Sequence, residues 1–199
     1  HFDALPYNEI YGFMQKLRVD ENLSALALRL LILTATRSGE VRGARWDEVD
    51  LEAKVWTIPA KRMKARKEHS IPLCDEAIEL ITGLPKIANN KLLFPNVNTG
   101  RPLSDTVFKQ LMKRMGYTKI TTHGFRSTFR DWAAEQTAFP REVIEHAIAH
   151  ELKDKTEAAY FRSNLLDKRR ELMNTWNQYT RQNPEKLGDV IHLKEGENK

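Results

Sequence analysis

Apolar residues recur at helical spacing through most of the chain. Leu23, Leu26, Ala27, Leu30 and Leu31 fall on one face, broadened by Leu28 and Ile32, which predicts a helix over residues 23–36. Residues 7–18 read as a helix before it, and residues 40–46 as a short one after the turn signal at Gly39. The period then changes. Residues 54–60, KVWTIPA, alternate and are rich in strand formers, and residues 69–73, HSIPL, make a second short strand. Together they predict a hairpin whose tip is KRMKARKE. Residues 75–84 read as helical with Asp75 as a cap, and residues 92–100 as an irregular link. Ser104 is placed to cap a helix reaching Met115, with Val107, Leu111 and Met115 on one side and Phe108, Lys109 and Lys113 on others. Phe125, Phe129 and Trp132 give the next helix its buried stripe. Pro140 suits the first turn of a further helix that ends at His150, and residues 164–182 form a polar helix carrying Leu165, Leu166, Leu172, Met173 and Trp176. The fold class is therefore mainly α with a small antiparallel β-sheet or hairpin, an α+β arrangement.

A chain of 199 residues suits one large domain with a real core, here residues 1–182, followed by a charged tail over residues 183–199 that reads as flexible. The net charge of +5 and a pI near 9.3 favour a polyanionic partner. The single Cys74 excludes an internal disulfide and a cysteine metal cluster, and fits a reducing compartment. No apolar run reaches membrane-spanning length, and no signal peptide opens the chain. It begins at His1 without a methionine and reads as a fragment of a longer protein.

Residues 122–162 hold the chemistry. His123 and Arg126 lie three apart, so they share a helical face at the edge of the aromatic stripe, where a polar tip reaches a cleft. His150 follows, and Tyr160 comes ten residues later. Each alone has an ordinary explanation as a cap, a solvated face or core. As a set they are cations and hydrogen-bond donors around a tyrosine hydroxyl, which suits attack on a phosphodiester. His146 and His150 also stand at a metal-ligand spacing, but two ligands without a third make a poor site, and His146 reads as packing or capping.

The wording H-x-x-R, then A-H, then a Tyr about ten residues on resembles the C-terminal signature of the tyrosine recombinases, the phage-type integrases, and most of all those of prophages and genomic islands. Thr36-Arg37-Ser38-Gly39-Glu40 is similar to the T-R-x-x-E of this family. Met63-Lys64, then His69 and Ile71-Pro72-Leu73, is similar to its lysine hairpin, which selects Lys64 over Lys61 and Lys67. The resemblance covers nearly the whole chain in the family's order.

It implies a catalytic set of Arg37, Lys64, His123, Arg126, His150 and Tyr160, with Glu40 orienting Arg37 or supporting the fold. Arg62, Arg66, Lys67 and Arg130 are expected to touch DNA phosphates, and Arg42 and Arg45 to face solvent or phosphate. The implied activity is integration and excision of a mobile element by strand cleavage and rejoining through a 3′-phosphotyrosyl bond, with no metal and no cofactor. The implied partners are double-stranded attachment-site DNA, other protomers in a tetrameric synapse, and accessory DNA-bending or excision factors. No membrane is involved, and the setting is the prokaryotic cytoplasm, on the nucleoid when DNA-bound. The N-terminal DNA-gripping domains of such proteins would be missing here. A type IB topoisomerase-like relaxation of DNA, or a DNA-binding module without catalysis, are the rival readings.

Overall fold

The computed structural model describes residues 3–150 and 165–183. After a short 3-10 turn at Tyr7–Glu9, the chain forms α1 (Ile10–Arg18), α2 (Leu23–Thr34) and α3 (Ser38–Arg42). The strands β1 (Val49–Asp50), β2 (Val55–Ile58) and β3 (His69–Pro72) follow, then α4 (Asp75–Thr82), α5 (Val107–Arg114), α6 (Gly124–Gln136), α7 (Arg141–Ala147) and α8 (Leu166–Arg181). The strands make one antiparallel sheet in the order β1-β2-β3. Ile58 pairs with His69, so the basic stretch between them is a loop held at its root by the sheet. The first strand was not foreseen, since two residues carry no periodicity.

Helix α2 is the axle. Ala25, Ala27, Leu28, Leu30, Leu31, Ile32, Leu33 and Thr34 are all buried, because α1, α4, α5, α6 and α8 pack around it. It stops two residues before the expected end. Ala35 takes the left-handed conformation at φ 49°, and the Thr36 amide turns back to the Leu31 carbonyl. That turn throws Arg37 out of the core.

Three expectations shift. Cys74 stands at the N-cap of α4, and Asp75 is its first helical residue. Helix α5 begins at Val107 after Thr106, with Ser104 supplying a carbonyl to the Val107 amide. Its buried face is Phe108, Leu111 and Met112, not Val107, Leu111 and Met115. Both sets have helical spacing, and contact with α2 selects between them.

Helix α8 closes the core. Trp176 packs on Phe129 and Trp132 of α6 at centroid distances of 5.5 and 4.8 Å, and its indole N–H donates to the Ile32 carbonyl at 2.9 Å. Arg169 is buried and donates to the Ser70 carbonyl at 2.8 Å, which ties α8 to β3.

Candidate active site: a cationic cleft beside α3, the β2–β3 loop and α6

The site begins with the α2–α3 elbow. Arg37 occupies the N-cap of α3 with extended backbone, so its side chain leaves the helix axis. Glu40, one turn on, returns its carboxylate to the cap. It accepts from the Arg37 amide at 2.7 Å and from Arg37 Nη1 at 3.0 Å. Glu40 is buried and Arg37 is about a quarter exposed, so the carboxylate anchors the guanidinium from below and leaves its outer edge free for a ligand.

The second wall is the β2–β3 loop. It opens with a 3-10 turn, Ala60–Arg62, buries Met63, and then exposes Lys64. The third is the start of α6. His123 is its N-cap residue and is exposed. A strap of residues 3–5 fixes this corner: the Asp3 carbonyl accepts from the Thr121 amide at 3.0 Å, and Thr128 Oγ1 donates to the Leu5 carbonyl at 2.6 Å. The strap passes so close to Gly124 that a Cβ there would meet Ala4 Cα at 2.8 Å, which is why glycine follows His123. Between these walls lies a cleft of about 660 Å³, lined by Arg37, Lys61, Arg62, Lys64, Arg66 and His123 among others. Such a concentration of cations focuses a field suited to a polyanion.

Arg126 departs from its expected place. It does not sit at the edge of the aromatic stripe with its tip in a cleft, for only 3% of it is exposed. Its guanidinium donates through Nη1 to the Ala35 carbonyl at 2.7 Å and through Nη2 to the Ile148 carbonyl. These are the C-cap carbonyls of α2 and α7, the partly negative ends of two helices. They make burial of the charge tolerable and set its orientation. Burial, then repulsion from Arg37, pulls the Arg126 pKa down to about 10, which still leaves it a cation at neutral pH. Its Nε is buried without a protein partner.

His150 lies just past α7, with Nδ1 held 2.9 Å from the Glu145 carboxylate. The His123 pKa is lowered, first by burial and then by Arg126, Arg37, His150 and Lys64 in turn. Arg126, Arg37, His150 and Lys64 thus all act on His123 electrostatically, so five of the six expected residues share one neighbourhood. Tyr160 lies outside the described residues.

The remaining candidates separate. Arg66 lines the cleft, and Lys67 is exposed on the same loop. Arg130 is on α6 beside Asp131, away from the cleft lining. Arg62 is the correction. Expected to touch phosphate, it is only 16% exposed, and its guanidinium engages the Glu48 carboxylate and the Glu40 carbonyl. Arg42 donates to the Leu103 carbonyl, and Arg45 pairs with Asp47. His146 is half-buried in the last turn of α7; burial and then Arg169 lower its pKa. Among the described residues, no third His, Cys, Asp or Glu joins it and His150 in a metal-holding group. The inward turn of Arg62 was unreadable in a run of basic residues. The only trace was Gly43, whose missing Cβ leaves room for that guanidinium.

The chain is 33% identical to the integrase of Enterobacteria phage P4 over 94% of its own length and 47% of that protein's. It is 36% identical to prophage integrase IntA of Escherichia coli K12 over 73% of this chain and 36% of the relative. The chain thus spans about half or less of these relatives. Among solved structures it superposes on an integrase from mycobacterium phage Brujita with a TM-score of 0.64 at 17% identity, covering 87% of this chain and 58% of the other. On XerA recombinase the TM-score is 0.61 at 14% identity, over 95% and 62% of the two chains. A lambda integrase dimer bound to a COC′ core site gives 0.57 at 18%, over 75% and 58%. At these identities the structures share the fold, mainly helical with a small antiparallel sheet. The model of the phage integrase family matches residues 3–166, which takes in all three walls of the cleft, and the chain belongs to that family.

Proposed function

We propose that this chain is the catalytic part of a site-specific tyrosine recombinase, which cuts and rejoins double-stranded DNA through a 3′-phosphotyrosyl intermediate. The observation that carries the reading is the pair of guanidiniums with fixed orientation, Arg37 held by Glu40 and Arg126 held by two helix-end carbonyls, in one field with His123, Lys64 and His150.

A phosphodiester resists attack because an anion must take on further negative charge in its transition state. Two arginines that stay ionised at neutral pH answer this by donating to the non-bridging oxygens, and donors already aimed before reaction cost little reorganisation. His150 is the third donor. Tyr160 is the nucleophile. Its Oη attacks phosphorus while His123, kept neutral by burial and then by its cationic surroundings, accepts the phenolic proton. The bond from phosphorus to the 5′ oxygen breaks, and that oxygen takes a proton from Lys64. A 5′ hydroxyl from another strand reverses the steps onto a new partner. The charge stabilisation resides in arginines, so no metal and no cofactor enters the scheme. Further protomers on a shared DNA, and accessory DNA-bending factors, belong to the same reading. Lys61, Arg66 and Lys67 are its phosphate contacts on the loop.

The test is a nicked suicide duplex bearing the cognate core site, followed by a gel for a covalent protein–DNA adduct. The parent chain should form it, and Tyr160→Phe should bind DNA nearly as well but form none. Binding without an adduct from the parent chain would leave only a DNA-binding module. An undiminished adduct from Tyr160→Phe would remove the nucleophile assignment.

A further inference from the structure

We infer that Arg62 is a positioning residue for the proton donor Lys64, fastening the root of the lysine loop to the elbow that carries Arg37. This rests on the functional reading above. Lys61, Lys64 and Arg66, its basic neighbours, are exposed. Arg62 turns inward instead and is only 16% exposed. One nitrogen, Nη1, donates to the Glu48 carboxylate, itself 6% exposed and braced by the Trp56 indole N–H at 3.1 Å and the Arg45 amide at 3.2 Å. The other, Nη2, donates to the backbone carbonyl of Glu40. Glu40 is the residue whose carboxylate holds Arg37. A single planar guanidinium therefore spans from the lysine loop to the arginine anchor.

Two further features agree. The C-cap of α3 is Gly43 at φ −100°, a conformation that does not require glycine. Its Cβ would instead stand 2.9 Å from Arg62 Nη2, so glycine there makes room for this side chain. The loop then has little slack before Lys64. The Arg62 amide closes on the Pro59 carbonyl at 2.9 Å, and the next side chain, Met63, is buried. Lys64 thus leaves the surface two residues from a fixed point, and a long flexible side chain delivers a proton efficiently only from a fixed root. A misplacement on the order of 1 Å in such a group costs about 100-fold in rate.

The consequence is specific to one bond. If Arg62 acts through Lys64, its loss harms chiefly protonation of the leaving 5′ oxygen, because the Glu40 carboxylate still holds Arg37 through its own two hydrogen bonds. A duplex with sulfur at the bridging 5′ position bypasses that step, because the thiolate leaves without a proton when the phosphorus–sulfur bond breaks. Adduct formation by this chain is compared on the oxygen and sulfur duplexes for the parent, Lys64→Ala, Arg62→Lys, Arg62→Gln, Gly43→Ala and Arg126→Ala. Arg62→Gln and Arg62→Lys should lose about 100-fold on oxygen and recover on sulfur as Lys64→Ala does. Gly43→Ala, which crowds the guanidinium, should show the same pattern at lower amplitude. Arg126→Ala should not recover. Rescue of Lys64→Ala without rescue of the Arg62 variants would overturn this inference alone. No adduct from the parent, or no rescue of Lys64→Ala, would overturn the functional reading beneath it. Should Arg62→Gln melt below the assay temperature, Arg62→Lys and Gly43→Ala decide. A raised sulfur-to-oxygen ratio supports the inference, and a parental ratio refutes it.

Discussion

Glu76 is the best place to perturb the scaffold, because one buried carboxylate joins four helices. On α4, it is 3% exposed and accepts from Arg18 Nε and Nη2 of α1, both at 2.9 Å, a paired geometry. Arg29 of α2 reaches it at 3.2 Å, and Arg181 at the end of α8 at 3.7 Å. Arg18 also donates to the Thr180 carbonyl and hydroxyl, so the cluster fastens the far end of α8. Glu76→Gln removes the one anion and leaves three cations. Breaking a buried pair from one side costs about 3–5 kcal/mol. Here Arg18 and Arg29 are 15% and 16% exposed and Arg181 is 54% exposed, so water can reach them and the loss falls to about 2–4 kcal/mol. That corresponds to a Tm lower by about 5–15 °C for a chain of this size.

Acidity sharpens the test. Burial alone raises the Glu76 pKa, but the Arg18 hydrogen bonds and charge, joined by Arg29, bring it below the ordinary 4.5. The folded value lies below the unfolded one. The carboxylate's contribution is therefore complete above about 4.5 and is lost as pH falls through the folded value. Urea denaturation of parent and Glu76→Gln at pH 7 and at steps below pH 4.5 should show the gap between them closing in acid. In a double-mutant cycle, Arg18 should couple to Glu76 by more than about 1 kcal/mol and the exposed Arg181 by less. A loss under about 1 kcal/mol at pH 7, or a gap that stays constant into acid, would refute the argument that this carboxylate staples the helices.

Two glycines should respond in opposite ways. Gly124→Ala places a methyl against backbone of the strap and should cost about 1–3 kcal/mol by urea denaturation. Gly39→Ala has nothing within 4 Å, lies inside α3 and should be neutral or gain up to about 1 kcal/mol. For His123, the lowered pKa keeps the ring neutral to below 6.5, so adduct formation should persist through pH 6.5 and fail only further into acid. A rate that halves above pH 6.5 and follows a His123 titration there would contradict this. Adduct formation should also survive EDTA, and loss reversed by added zinc or magnesium would transfer the charge stabilisation from the arginines to a metal.

Local pattern was enough for the elements that announce themselves by period. The α2 helix, the Phe125–Phe129–Trp132 stripe and the β2–β3 hairpin each follow from side-chain spacing within a few residues, and the structure has them, although α2 is buried nearly all round and not on the one expected face. Short motifs marked where to look: Thr36 to Glu40, Lys64 and residues 123–126 border or underlie one cleft although up to 90 residues separate them. What tertiary structure alone decided is which charges are inside. Arg37 and Arg62 are both arginines near turns and both border the cleft, yet Arg37 is anchored by one carboxylate at its edge while the Arg62 guanidinium is turned inward onto the Glu48 carboxylate and the Glu40 carbonyl. Helical spacing put Arg126 at the edge of a stripe, but two helix ends, α2 and α7, meet at that point and supply carbonyls that hold its charge in the interior. Periodicity records how one segment divides between water and core. The stability of a buried charge depends on partners brought from 91 and 22 residues away, and no local pattern contains them.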